Sequence, residues 1–294
     1  MSIAPRYPIY IVSKGRAANP LTARFLAADA VDFHIVVEPQ EVDEYASAVG
    51  AEHVLALPFE NLGQGSIPAR NWIWEHAKSL GTKRHWILDD NIRGIYRLYG
   101  GRRLHCESGP AFAAVEDFTD RYENAAIVGM NYDFFGTGKM PPLFLNSRVY
   151  SCLLIENAIE PRWRGRYNED TDLYLQVMAA GLCTVLVNVF LIKKARTMSM
   201  TGGNTDELYQ DDGRLRMARS LERVWPGVVE TDRRFQRPQH VVTGTKKFDT
   251  PLRFRDGLTA ADFAEPNEYG LALRAKREVK SAALRRLLER QADS

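Results

Sequence analysis

Two acidic turns hold the side chains best placed for chemistry. The first, Asp89-Asp90-Asn91, follows directly on the apolar run Trp86-Ile87-Leu88. Adjacent carboxylates repel unless a cation or a donor-rich ligand neutralises them, and hard oxygens suit Mg²⁺ or Mn²⁺ bridging a diphosphate. The same residue types also make turns and cap helices, so the stretch fits that use equally. The second turn, Asn168-Glu169-Asp170-Thr171-Asp172, leads into Leu173 to Ala180. Asp170 there is either a helix cap or a carboxylate able to take a proton from a hydroxyl.

Cationic and small residues stand at comparable places. Ser13-Lys14-Gly15-Arg16 follows the apolar Ile9 to Val12, where Gly15 admits a close backbone approach and Lys14 and Arg16 supply positive charge. Glu38 ends a second apolar run and offers an acceptor to a base imide or a ribose hydroxyl, or else is merely solvated. Arg70, in Ile67-Pro68-Ala69-Arg70-Asn71, falls in the first turn of a helix. A cation is unfavourable there unless it meets an anion, which is either a phosphate or a carboxylate at the core edge.

The elements that must position these groups read as alternating strands and helices. Strands are expected at 9–12, 33–37, 54–57, 86–88, 125–130, 149–154 and 182–192, and helices at 20–28, 41–49, 69–79, 111–122 and 173–180, closed by Gly181. This order predicts an α/β sheet, mainly parallel and flanked by helices, with ligands at the carboxyl edge of its strands. Gly100 to Arg103 reads as a basic loop, and Tyr132 to Lys139 mixes aromatics and glycines in a surface lip.

Beyond residue 205 the pattern is less regular. Helices are expected at 212–224 and 269–291. Between them Arg233-Arg234-Phe235 and Lys246-Lys247-Phe248 mix cations with aromatics, a composition suited to phosphates and unstacked bases, or to a solvated basic face. Residues 206–294 carry 18 Lys and Arg against 15 Asp and Glu, and residues 1–205 the other 21 against 22. The boundary therefore divides a 1–205 α/β domain from a 206–294 helical, basic extension. With a net charge of +2 the molecule as a whole is not a polycation.

Composition excludes several classes. Cys106, Cys152 and Cys183 are odd in number and have no CxxC spacing, so neither a disulfide framework nor a zinc site is expected, and a reducing cytoplasm fits. The longest apolar run, 182–192, is too short to cross a bilayer, and the N-terminus lacks a signal-peptide core. No membrane and no protein partner is implied.

The motifs in sequence resemble the nucleotide-sugar half of GT-A glycosyltransferases of the family 2 kind. They are a strand followed by Ser-Lys-Gly-Arg, a second strand ending in an acid, an Ile-Pro-Ala-Arg-Asn helix start, Leu-Asp-Asp-Asn and Asn-Glu-Asp. Over residues 7–205 they also resemble a narrower group, the phage-type TET-associated glycosyltransferases, which act on 5-hydroxymethylpyrimidines in DNA. The resemblance implies a GT-A fold, a UDP-sugar donor and a Mn²⁺ or Mg²⁺ cofactor. It places Ser13, Lys14, Arg16, Glu38, Arg70 and Asp89 at the donor nucleotide, with Asp89 facing the ribose. Asp90, with Asn91 in place of the usual third carboxylate, falls at the metal. Asp170, beside Glu169, becomes the acceptor's base.

Many GT-A enzymes carry a metal-binding histidine where this chain has Thr197 to Thr205; with none here, water, Asn204 or a diphosphate-only arrangement must substitute. A single base with no protein nucleophile implies inversion at the anomeric carbon. The expected acceptor is 5-hydroxymethylcytosine in hydroxymethylated DNA, in the host cytoplasm for a bacteriophage protein, with Trp163, Arg233, Arg234, Lys246 and Lys247 on the acceptor side. The alternatives are a glycan or small-molecule acceptor, or a nucleic-acid-binding module that keeps the fold without catalysis.

Overall fold

In the computed structural model, described for residues 3–165, 167–195, 213–234 and 237–272, one ten-stranded sheet organises the chain. Its first half is β1 (Ile9–Val12), β2 (His34–Val37), β3 (Val54–Ala56) and β4 (Arg84–Asp89), joined by α1 (Leu21–Ala28), α2 (Val42–Val49) and α3 (Ile67–Ser79). Next come the hairpin β5 (Ile92–Tyr99) and β6 (Arg102–Cys106), α4 (Ser108–Asp120), β7 (Ala125–Tyr132), β8 (Leu143–Leu145), β9 (Cys152–Glu156), α5 (Glu169–Ala179) and β10 (Cys183–Lys194). The spatial order is β3-β2-β1-β4-β9-β7-β10-β5-β6, with β8 on β10.

Strands β1 to β4, β7 and β10 run in one direction, whereas β9 is reversed between β4 and β7. Mixed α/β architecture with a largely parallel sheet is therefore what the alternation of elements predicts and what the chain adopts. The basic loop expected at Gly100 to Arg103 is instead the tip of the β5–β6 hairpin. Gly100 and Gly101 turn the chain there with φ of 57° and 77°, a region open to residues without a Cβ.

Alternation along the strands sorts side chains to two cores. Ile9, Ile11, Trp86 and Leu88 pack with Leu26 and Phe112 on the face covered by α1 and α4. Tyr10 and Ile87 pack with Ile73, Trp74, Leu173 and Val177 on the face covered by α3 and α5. With a side-chain period of two, Asp89 shares the face of Ile87 and emerges where α3 and α5 begin. That parity aims Asp89 at Arg70 and Asp170.

The described part of the C-terminal segment holds α6 (Gly213–Val224) and an antiparallel hairpin, β11 (Val229–Arg234) with β12 (Arg237–Val242). It packs on the body: Trp225 Nε1 donates to Asp172 Oδ1 at 2.6 Å, and Asn168 Nδ2 to the Met217 carbonyl at 2.8 Å. The hairpin occupies a stretch that the sequence shows only as a cluster of cations. The loop at Thr197 to Thr205, Asn204 included, and most of the helix expected at 269–291 lie outside the described residues. No helix among the described residues is long and apolar enough to cross a membrane.

Gly129 lies where β7 meets the reversed β9. A Cβ there would stand 2.1 Å from the Cys152 carbonyl oxygen and 2.3 Å from Val149 Cγ1. Gly129→Ala should therefore cost about 1–3 kcal/mol, the usual penalty for overpacking, read as a lower urea midpoint at unchanged m-value.

Candidate active site

Arg70 is the centre of the site. It stands in the first turn of α3, where Ile67, Ile73 and Trp74 fix the helix against the sheet, and its side chain is only 7% exposed. Its NH1 donates to Asp170 Oδ1 at 2.5 Å and its NH2 to Asp89 Oδ1 at 3.3 Å, while Glu169 Oε1 lies 3.9 Å away. Burial alone would lower the Arg70 pKa, but Asp170, Asp89 and Glu169 together raise it. One guanidinium thus joins the two acidic turns.

Asp170 does not cap its helix. That position belongs to Asn168, in a left-handed conformation at φ 54°, which leaves the Asp170 carboxylate free to meet Arg70. Its Oδ1 also accepts from Trp163 Nε1 at 3.1 Å. Among the described residues Oδ2 accepts no hydrogen bond. A carboxylate with one oxygen anchored and the other unused has the form of an oriented base. Burial and then the Asp170 charge raise the Glu169 carboxyl above its ordinary value, against the pull of Arg70.

Asp89 has a second cation that sequence reading missed. Lys194 Nζ donates to its Oδ2 at 2.7 Å and to Ser151 Oγ at 2.8 Å, and Ser151 Oγ donates to the same Oδ2 at 2.7 Å. Burial would raise Asp89, but Lys194 and Arg70 outweigh it and hold the group well below the usual carboxylate range. Lys194 closes β10 just after a register shift, the kind of irregularity that re-aims a side chain. Ser151 sits at φ 64°, a strained conformation for a residue with a Cβ. Neither feature has a signature in composition or periodicity.

Asp90 faces the other way. It accepts from Ser13 Oγ at 2.7 Å and pairs with Arg16, while Tyr45 bonds both Ser13 Oγ and the Arg16 N–H. Burial keeps its carboxyl above the ordinary value despite these partners. The adjoining Asn91 Oδ1 is buried without a hydrogen-bond partner.

A family model described as TET-Associated Glycosyltransferase matches residues 7–203, which include both acidic turns and Arg70. The chain belongs to this family. A TET-associated glycosyltransferase is a glycosyltransferase, so the non-catalytic alternative is set aside. A crystal structure from Desulfovibrio desulfuricans G20, described as a candidate nucleotide-diphospho-sugar transferase, is similar at 12% identity and a TM-score of 0.38. The match covers 62% of this chain and 80% of that one. No curated protein matches.

The remaining expected residues of this glycosyltransferase fall into two groups. Lys14 donates to Glu38 at 2.8–2.9 Å and to Asn61 at 3.2 Å, beside the ends of β1 and β2. It stands apart from the Arg70 cluster, whose second cation is Lys194. On the acceptor side, Trp163 is buried, 5.5 Å from Trp74 and 5.4 Å from the Arg70 guanidinium. In that position the indole N–H holds Asp170. Arg233, Lys246 and Lys247 are exposed on the hairpin and the turn after it; Arg234 belongs to β11.

Replacing Arg70 with methionine would leave Asp89, Glu169 and Asp170 together without their shared counter-ion. Arg70→Met should cost about 3–5 kcal/mol at neutral pH, as for a broken buried pair. Because Asp89 is depressed on folding, its stabilisation is complete above the unfolded value of about 4 and is lost as pH falls through the lower folded value. The difference between wild type and variant, followed by urea denaturation, should therefore shrink below that pH.

Proposed function

We propose that this glycosyltransferase moves a sugar, with inversion, from a UDP-sugar to the hydroxyl of 5-hydroxymethylcytosine in DNA. The observation that carries this reading is the bridge from Asp89 through Arg70 to Asp170, which joins on one cation the two turns we assign to the donor and to the acceptor. The nucleoside is assigned to the ends of β1 and β2, where Glu38 offers an acceptor to the uracil imide. Arg70 and Lys194 are assigned to the diphosphate, whose charge grows as the sugar leaves.

A divalent cation fits the Asp90 turn. The donors are hard oxygens, and the unpartnered, buried Asn91 Oδ1 is an acceptor with nothing to accept from. Among the described residues no group of three or more His, Cys, Asp or Glu side chains could hold a metal alone. Such a site suits Mg²⁺ or Mn²⁺, which take one or two carboxylates and complete their shell with substrate phosphate and water. Asp90 and Asn91 would hold the ion, and Arg16 would yield Asp90 to it. When bound, the ion supplies positive charge to the leaving diphosphate.

Asp170 Oδ2 takes the proton of the acceptor hydroxyl as its oxygen attacks the anomeric carbon, and the bond to the diphosphate breaks. Arg70 and Trp163 hold that carboxylate in line. The acceptor is assigned to DNA because the family is TET-associated and because Arg233, Arg237, Lys246 and Lys247 are exposed cations on the segment packed against α5. We assign residues 206–294 to this acceptor-binding role.

The test is incubation with Mn²⁺, a panel of UDP-sugars and hydroxymethylated DNA, followed by digestion to nucleosides and mass measurement. The expected product is 5-hydroxymethyl-2′-deoxycytidine heavier by one glycosyl unit; transfer to a glycan or free metabolite with DNA untouched would contradict the reading. Asp170→Asn should lower turnover by about 10²–10⁴-fold while donor affinity stays as in wild type. Asp90→Ala should weaken donor binding in Mn²⁺ and abolish the difference that Mn²⁺ makes to a calorimetric nucleotide titration.

A further inference from the structure

A cavity of about 230 Å³ opens beside the charged cluster, walled largely by Tyr132, Phe135, Phe144 and Tyr150, with Arg148 at its polar side. Two walls connect it to the reacting groups. Tyr132 Oη lies 2.9 Å from Ser151 Oγ, which bonds both Asp89 and Lys194. Tyr150 Oη lies 3.3 Å from the hydroxyl of Thr171, the residue after Asp170. Two of the cavity's walls are therefore one hydrogen bond away from the residues that carry or adjoin Asp89 and Asp170.

The chemistry of the walls narrows the occupant. Aromatic walls and a volume fit for one small ring suit a planar heterocycle, and Asn131, Ser147 and Arg148 supply polar groups for its edge. Phe134, 61% exposed, stacks on the wall residue Tyr132 with planes 9° apart, so a second ring surface stands open next to that wall. Arg148 has no hydrogen bond or ion pair among the described residues, although its charge acts on Tyr174 and on His240 of β12. That guanidinium lines the cavity with its donors unused, and it lies on the side of the basic hairpin.

We propose that this cavity receives the acceptor pyrimidine after it has been turned out of the DNA stack, and that Arg148 reads its acceptor edge. The inference rests on the DNA acceptor reading above and adds to it a site and a base preference. Cytosine presents O2 and N3 as adjacent acceptors, which a guanidinium fork can meet together; uracil carries a hydrogen on N3 and cannot be met in the same way. The 5-hydroxymethyl group is then directed toward Asp170, and the cavity discriminates hydroxymethylcytosine from hydroxymethyluracil.

The experiment compares wild type, Arg148→Met and Phe144→Ala on duplexes carrying hydroxymethylcytosine or hydroxymethyluracil, paired or opposite an abasic site. Calorimetric UDP-sugar affinity at the wild-type level serves as the control for fold. Wild type should favour the unpaired target, because extrusion then costs less. Arg148→Met should lose about tenfold or more of the preference for cytosine, the scale of a lost bidentate base contact. Phe144→Ala should raise KM for both bases about equally at unchanged donor affinity. Wild-type transfer to DNA with both variants unaffected would overturn the pocket and leave the DNA reading standing; no wild-type transfer to any hydroxymethylated duplex, with transfer to another acceptor, would overturn both. If either variant also lost donor affinity, the cavity would be part of the donor site, which contradicts the proposal.

Discussion

The site depends on one buried guanidinium. Arg70 lies in the first turn of α3, where a helix least tolerates positive charge, and it is kept there by acids from two other elements. Without it, the carboxylates of β4 and α5 would be forced apart or protonated. With it, two turns far apart in sequence meet at one cation.

The rest of the fold serves that arrangement. The reversed β9 lies between β4 and β7 and carries at its start the strained Ser151, whose backbone carbonyl accepts from the Asp89 N–H and whose hydroxyl bonds the Asp89 carboxylate. The long β10 delivers Lys194 to the same carboxylate. Trp163 packs on Trp74 of α3 and hands its N–H to Asp170, so the apolar core under α3 and α5 and the charged cluster above it are set by the same side chains. Asp172, two residues past Asp170, accepts from Trp225 and Arg164, which ties the C-terminal segment to the helix that carries Asp170.

Much of this was legible in the sequence, for identifiable reasons. The strand and helix order followed from apolar period and from Pro and Gly punctuation, and Asp89, Asp90, Arg70 and Asp170 stood out because charge sat directly at the ends of apolar runs. What was hidden depended on geometry that no pattern encodes. Lys194 ends a run of ordinary basic residues and gains its role from a register shift. Ser151 matters because of a left-handed backbone. Trp163 was visible as an aromatic near Asp170, but only packing against Trp74 determines that its ring is buried. The β11–β12 hairpin was masked by cations that read as surface composition rather than as strands.

The central claim is that Arg70 is shared between Asp89 and Asp170. Two double-mutant cycles by urea unfolding at neutral pH test it, pairing Arg70→Met with Asp89→Asn in one and with Asp170→Asn in the other. A favourable coupling of about 0.5–3 kcal/mol in both cycles is the predicted result. Additive effects in either cycle would mean that the two acidic turns are not held by one cation, and the account of a single cleft would fail.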